Sequence, residues 1–288
     1  QCVANCRYCL RRNYEPFFQN KESIERAARF VGAGEGHEEL REILITGGDP
    51  FLVPAKVKIF LDAIAEFSPQ IKIVRVATRV PIQEPRLVND KLLKVLGAEY
   101  PFRLEVATQI NHAKEFFPEV IDAYERVLDV VRIVYNQTVL LKGVNDTKQE
   151  LVELFDAIRD VGIENHYLFH CVAIGGLNHL RTPVMDSIEL VRAASATGEV
   201  AGRGKPKLCF MTSVGKIIPY EGTILDRKGN RILFKSDYLV EERMKWNPHW
   251  RIPADTEVTD DGYLNVWYED ASVDTEQHEV PLRRRKIA

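Results

Sequence analysis

Runs rich in Val, Ile and Leu recur at Glu42 to Thr46, Ile71 to Thr78, Arg103 to Thr108, Val131 to Leu141 and His166 to Cys171. Stretches with helical spacing alternate with them, at Lys21 to Phe30, Ala55 to Phe67, Leu87 to Leu96, Glu119 to Val130 and Lys148 to Val161. This alternation constrains the fold more than any other feature: it reads as repeated βα units, hence an α/β protein with a parallel sheet and helices outside it. Strands covered on both faces should be continuously apolar, as Ile43-Leu44-Ile45 and Ile73-Val74 are, and an open or partial barrel is the expected closure. Chemistry in such sheets gathers at the C-terminal strand ends. The polar groups Gly47-Gly48-Asp49, Thr78-Arg79, Gln109 with Asn111-His112, and Gln137 are placed there, which favours one shared site.

Beyond Thr182 the pattern loosens into a helix, a Gly- and Lys-rich passage from Gly198 to Lys207, and short strands at Leu208 to Thr212 and Arg231 to Phe234. The tail, with Trp246-Asn247-Pro248 and the aromatic run Tyr263 to Tyr268, reads as an appended hairpin or wrapping arm. We therefore divide the chain into a βα body at 1–200 and a C-terminal extension at 201–288. With 45% hydrophobic residues and a net charge of −3, there is ample material for a core and no overall basic face for nucleic acid. The run Arg283-Arg284-Arg285-Lys286 reads as a solvated tail. No apolar stretch approaches the roughly 18 residues that span a bilayer, and no signal peptide is in view, so a cytoplasmic protein is expected. The chain opens at Gln1 with a candidate ligand at position 2, which points to a segment upstream.

Of five cysteines, Cys171 and Cys209 stand alone within apolar runs and read as small core residues. Cys2, Cys6 and Cys9 differ, because three thiols within eight residues cannot pair among themselves and leave metal as the economical explanation. A structural zinc would want a fourth protein ligand, and tandem ferredoxin spacing has two-residue gaps and a fourth cysteine. Three thiolates on a four-iron cluster leave one iron open to an exogenous chelate. Soft ligands of this kind suit either metal class.

The spacing Cys2-x-x-x-Cys6-x-x-Cys9, followed after one helix and one strand by Gly47-Gly48-Asp49-Pro50, resembles the radical S-adenosylmethionine (radical SAM) superfamily. Closer still, six ordered segments resemble the lysine 2,3-aminomutase family. They are Cys6-Arg7-Tyr8-Cys9-Leu10-Arg11-Arg12, Ile45-Thr46-Gly47-Gly48-Asp49, Val74-Arg75-Val76-Ala77-Thr78-Arg79, Asn111-His112, Asn136-Gln137-Thr138-Val139-Leu140-Leu141-Lys142-Gly143-Val144-Asn145-Asp146, and Gly176-Leu177-Asn178-His179-Leu180-Arg181-Thr182-Pro183. The resemblance implies a partial (β/α)6-type barrel, a [4Fe–4S] cluster on Cys2, Cys6 and Cys9, and S-adenosylmethionine as cosubstrate. It places Gly47, Gly48 and Asp49 beside the methionine moiety and lets Thr78, Arg79, Gln109 and Gln137 complete that site, although Gln109 stands where the family usually has histidine.

The resemblance also implies pyridoxal phosphate on Lys216, within a glycine-rich stretch here reduced to Val214-Gly215-Lys216, and a grip on the substrate carboxylate by Arg11. Expected partners are a small amino-acid-like substrate and an external electron donor such as flavodoxin or ferredoxin. Two departures narrow this. Val172 and Cys209 occupy the positions of two aspartates that hold the distal ammonium in lysine-specific members, so the implied substrate is an amino acid other than lysine. Thr147 replaces a cysteine of the family's intersubunit zinc site and no cysteine follows Cys209, so a homo-oligomer, if formed, would lack that zinc. The implied reaction is a 2,3-amino shift. Its rivals are radical chemistry without pyridoxal phosphate on an amino-acid or peptide substrate, and a non-enzymatic iron–sulfur module. His166, His170, His179 and Tyr167 fall near the expected pocket mouth, where packed or hydrogen-bonded histidines are the reading, since no carboxylate partner stands at fixed spacing.

Overall fold

The computed structural model describes residues 2–13, 19–33 and 36–271; Gln1 and the basic run 283–286 lie outside them. The order of elements is α1 (Lys21–Ala33), β1 (Glu42–Ile45), α2 (Pro54–Phe67), β2 (Ile73–Thr78), α3 (Val80–Gln83), α4 (Asp90–Leu96), β3 (Arg103–Thr108), α5 (Pro118–Leu128), β4 (Val134–Leu140), α6 (Lys148–Asp160), β5 (Glu164–His170), α7 (Val184–Ser195), β6 (Lys207–Met211) and β7 (Lys216–Ile217). Then follow β8 (Ile224–Lys228), β9 (Arg231–Phe234), α8 (Val240–Trp246), β10 (Thr256–Val258) and β11 (Leu264–Glu269). Local chemistry sets several helix starts. Pro54 and Pro118 open α2 and α5, where a missing N–H costs nothing. The Thr147 hydroxyl accepts from Glu150 N–H at 3.2 Å and donates to that residue's carboxylate at 2.8 Å, capping α6.

Strands β1 to β6 pair in parallel in sequence order, and β7 closes the seven-stranded sheet antiparallel to β6. The result is a curled half-barrel, as the βα alternation predicts. The sheet takes in β6 and β7, past residue 200. Its outer face carries Val74, Val76, Leu104, Val106, Val134, Leu140, Leu168, Leu208 and Phe210, packed with Leu61, Tyr124, Leu151 and Ile158 from the helices. Burying such residues against helices supplies the main drive for folding.

The expectation of strands buried on both faces fails on the concave side. Leu44 is 47% exposed, and β2 alternates half-buried with buried residues along its length. A half-barrel has no opposite wall to fill its lumen, so β1 and β2 turn one face to an open groove, whereas β4 is buried on both faces save at Gln137.

The extension is larger than a hairpin: β8 to β11 form a four-stranded antiparallel sheet in the order β10-β11-β9-β8. It is joined to the half-barrel by a buried seam. Phe210 of β6 packs on Phe234 of β9 and Tyr268 of β11, with centroids 5.0 and 5.5 Å apart. The Arg181 guanidinium donates to the carbonyls of Cys171, Glu269 and Asp270. His170 Nε2 lies 2.7 Å from the Thr182 carbonyl, which can only accept, so this nitrogen carries the proton and Nδ1 accepts from the Tyr268 hydroxyl at 2.7 Å.

His170 is therefore a neutral packing residue. Burial pushes it from its ordinary 6.5 down to about 3, with Arg181 adding to the effect. The unfolded chain binds a proton there before the fold does, so stability is full above about pH 6.5 and declines as pH falls toward 3, by about 1.4 kcal/mol per unit. Urea midpoints measured across that window should fall with acid, and His170→Gln should show the shallower slope.

Candidate active site

The three-thiol loop lies at the mouth of the half-barrel. Cys9 N–H closes a turn onto the Cys6 carbonyl at 3.2 Å, and a 3-10 turn at Leu10–Asn13 follows. All three thiols are free; Cys2 is exposed, Cys6 and Cys9 half-buried. Burial raises the Cys2 thiol, and the carboxylate of Asp49 and the two neighbouring thiols add to this. Cys6 Sγ accepts from Arg79 Nη1 at 2.9 Å and faces Gln83 Nε2 at 3.8 Å. Donors aimed at a sulfur suit a thiolate ligand, since hydrogen bonds to cluster sulfurs are among the protein's levers on such a group. Among the described residues, no three His, Cys, Asp or Glu side chains are spaced to hold a single ion.

Asp49 knots the glycine turn to the end of β2. Its Oδ1 accepts from Phe51 N–H at 3.1 Å and from the Thr78 hydroxyl at 2.7 Å, and its Oδ2 accepts from Arg79 N–H at 2.6 Å. Both carboxylate oxygens are thus engaged within the protein. Thr78 is buried and does not face the groove. In the same turn Gly47 has φ +139°, a conformation that L side chains rarely adopt, and a Cβ there would stand 3.7 Å from Arg11 Nη2. The turn thus brings its backbone and the Arg11 guanidinium to one spot.

Arg79 is the hub of the mouth. Besides Cys6, its guanidinium donates to the Gln109 carbonyl at 2.9 Å and meets Glu115 at 3.4 Å. Glu115 Oε2 accepts in turn from Asn111 N–H at 3.2 Å, while Asn111 Nδ2 donates to the Tyr8 hydroxyl between the cluster cysteines at 2.5 Å. Asn111 Oδ1 accepts from Val139 N–H at 2.8 Å, and Asn145 Nδ2 donates to the carbonyls of Asn111 and Val139 at 2.7 and 2.9 Å. Burial raises the Glu115 carboxyl above its ordinary range, with Arg79 pulling it back.

Sequence reasoning places Asn111 among the polar groups of the shared site but gives no role to Tyr8, Glu115 or Asn145. For Tyr8 and Asn145 the available signal is membership of shared segments; for Glu115 there is none.

The second half of the site lies on the concave face. Gln137 sits within β4 rather than at its end, and one extra residue on β5, His166, between the pairs Asn136–Asn165 and Gln137–Tyr167 puts it in register with Tyr167. Gln137 is internal because β4 continues to Leu140. Phe169 of β5 pairs with Cys209 of β6, and Met211 with Lys216 of β7. Lys216 Nζ stands 4.8 Å from the Tyr167 ring centre and 5.5 Å from that of Phe169. Burial lowers the Lys216 pKa, the Cys209 thiol opposing and Arg75 assisting; the ring faces also favour the cation. His166 lies 4.0 Å ring to ring from Tyr167 and is pushed down to about 4, by burial first and then by Lys216, Lys207 and Arg75.

The structure thus assembles Cys6, Asp49, Arg79, Gln109 and Arg11 at the mouth and Gln137 and Lys216 in the groove. It is the frame of an iron–sulfur enzyme with its chemistry at the strand ends. The radical SAM superfamily model matches residues 1–183. A protein of Aquifex aeolicus (strain VF5) with the provisional name L-lysine 2,3-aminomutase is 33% identical over 86% of this chain and 68% of its own length. The L-lysine 2,3-aminomutases of Haemophilus influenzae and Clostridium subterminale are each 30% identical, over 72% and 66% of this chain and 60% and 45% of theirs. The chain belongs to the radical SAM superfamily and, within it, to the lysine 2,3-aminomutase-like family. It spans between about half and two-thirds of the length of these relatives. Among the described residues, no helix is long and apolar enough to cross a membrane.

Proposed function

We propose that this protein catalyses a radical 2,3-amino shift on an amino acid other than lysine, using a [4Fe–4S] cluster, S-adenosylmethionine and pyridoxal phosphate. The observation that carries the reading is that a three-thiol loop, held by Arg79, and an aromatic-flanked lysine are served by one apolar cluster: Tyr8 of the loop and Phe169 beside Lys216 both pack against the cluster of Val139, Leu141 and Cys171. Cys2, Cys6 and Cys9 would hold the cluster, which when bound supplies the electron that cleaves S-adenosylmethionine to a 5′-deoxyadenosyl radical. Lys216 would hold pyridoxal phosphate, which when bound supplies a π-system that carries the migrating nitrogen.

The chain's own groups orient and enclose. Asp49 fixes the glycine turn against Arg79, so the cosubstrate would meet a rigid backbone edge. Arg11, beside Gly47, offers a fork suited to a substrate carboxylate. Tyr167 and Phe169 flank the Lys216 amine with ring faces, and burial, together with Arg75, shifts that amine toward the neutral form from which it can attack a carbonyl.

Substrate choice rests on what lies near Lys216. Cys209 shares its face, and the groups acting on Lys216 are the Cys209 thiol and then the Arg75 guanidinium. A substrate ammonium left there without a counter-charge would cost several kcal/mol. Anaerobic incubation of the reconstituted protein with reductant, S-adenosylmethionine, pyridoxal phosphate and a panel of amino acids is the test. A β-amino product from a non-lysine substrate is expected; turnover of lysine alone would refute the substrate assignment. Turnover unaffected by omitting pyridoxal phosphate would favour the cofactor-free radical route.

A further inference from the structure

The β6–β7 hairpin presents Lys216 from a two-residue strand at the edge of the sheet, a weak platform for a side chain that must point one way. The residue as a whole keeps much of its surface in solvent, only its amine end lying against Tyr167 and Phe169, so the groove alone does not fix it. The C-terminal extension supplies the missing grip. The Tyr238 hydroxyl donates to the Lys216 carbonyl at 3.0 Å and accepts from the Lys216 N–H at 3.1 Å, so one side-chain atom holds both backbone polar groups of the lysine. The Arg243 guanidinium lies 4.0 Å over the Tyr238 ring and donates to the Val214 carbonyl. Tyr238 is itself anchored, its carbonyl accepting from Leu264 N–H of β11 at 2.9 Å.

Gly215 completes the arrangement. Its φ is +142°, and a Cβ there would fall 2.6 Å from the Tyr238 hydroxyl and 2.5 Å from Arg243 Nη2. The turn is tied below by Thr212, whose N–H and hydroxyl both donate to the Gly215 carbonyl, at 2.9 and 2.8 Å. Glycine thus serves here because the clamp occupies the space a side chain would take.

We propose that Tyr238 and Arg243 form a clamp through which the C-terminal extension aims Lys216 into the groove, making them positioning residues for the lysine's chemistry. The importance of that aim rests on the cofactor role given to Lys216, but the clamp can be read without cofactor or turnover. With the hydroxyl gone, two hydrogen bonds to the lysine backbone go too, while the ring under Arg243 stays. Losing the net worth of one such bond changes the ratio of inward to outward conformers by about fivefold.

The experiment measures the rate at which acetic anhydride labels Lys216 as a function of pH in the full chain, by peptide mass spectrometry, with an added short lysine peptide as reference. In the unmodified protein, Lys216 should label along a profile displaced to lower pH than that of the peptide. In Tyr238→Phe, the Lys216 rate at neutral pH should fall by up to about fivefold, with its profile moved up toward that of the peptide. Arg243→Met should move it the same way. Matching thermal unfolding midpoints would separate the effect from loss of fold. A Lys216 profile identical in Tyr238→Phe, or one already ordinary in the unmodified protein, would overturn the clamp. A displaced, clamp-sensitive Lys216 that takes up no pyridoxal phosphate would remove the cofactor reading and leave the clamp standing.

Discussion

Replacing Asp49 by alanine is expected to lower stability by about 3 kcal/mol and the rate of S-adenosylmethionine cleavage by about a hundredfold. The carboxylate satisfies Phe51 N–H, the Thr78 hydroxyl and Arg79 N–H in a buried setting, and truncation strands all three. The hydroxyl can turn to another acceptor; the two backbone donors cannot. Asp49→Asn tests the explanation more finely, because an amide offers one acceptor and one donor where the protein presents donors on both sides. Turned toward Arg79, its NH2 meets that residue's N–H; turned the other way, it meets Phe51 N–H. A cost of about 1–2 kcal/mol is expected for asparagine, read from urea midpoints. The larger effect on rate follows from Arg79, whose backbone is held by Asp49 and whose side chain holds Cys6, so a loosened turn displaces the cluster loop. Equal rates in Asp49→Ala and unmodified protein would show that the turn is not what positions the reacting groups.

Lys216→Ala is expected to take the β-amino product to background and to remove the visible band of lysine-bound pyridoxal phosphate, while 5′-deoxyadenosine still forms. The split follows from geometry. The thiol loop, Asp49 and Arg79 belong to the mouth, tied through Cys6, β2 and the end of β3. Lys216 lies on β7 at the other edge of the sheet, against Tyr167 and Phe169. Removing it leaves the contacts of the mouth untouched. Lys216→Arg would keep charge and bulk but cannot present a neutral amine, so it should fail as fully as alanine. Product formation in either variant would contradict the role given to this lysine.

The sheet order was legible because each βα unit is a local event: a β-branched run, a turn, then a helical stripe, all within about thirty residues. The cluster loop was legible for the same reason, with its three thiols inside eight residues. The β4–β5 pairing shows the limit, since one extra residue in β5, His166, shifts the register without changing the composition of the strand. The exposed Leu44 shows another: an apolar run does not reveal whether a sheet has one covered face or two.

The hub at Arg79 and the clamp at Tyr238 rest on contacts 73 and 22 residues apart in sequence. Arg79 was singled out, but its bond to Cys6 was not, because side-chain hydrogen bonds across strand ends leave no periodicity. The residue pattern of the extension fits an arm where the structure has a second sheet, since β8 and β10 are short and mostly exposed and so lack an apolar stripe.

The most direct test of the account is an anaerobic assay of the protein with its cluster reconstituted, given dithionite and S-adenosylmethionine, with 5′-deoxyadenosine followed by chromatography beside a Cys6→Ala control. Steady formation of 5′-deoxyadenosine by the unmodified protein, absent from the Cys6→Ala variant, is the predicted result. An intact cluster on Cys2, Cys6 and Cys9 that yields no 5′-deoxyadenosine, or equal yields from both proteins, would contradict it.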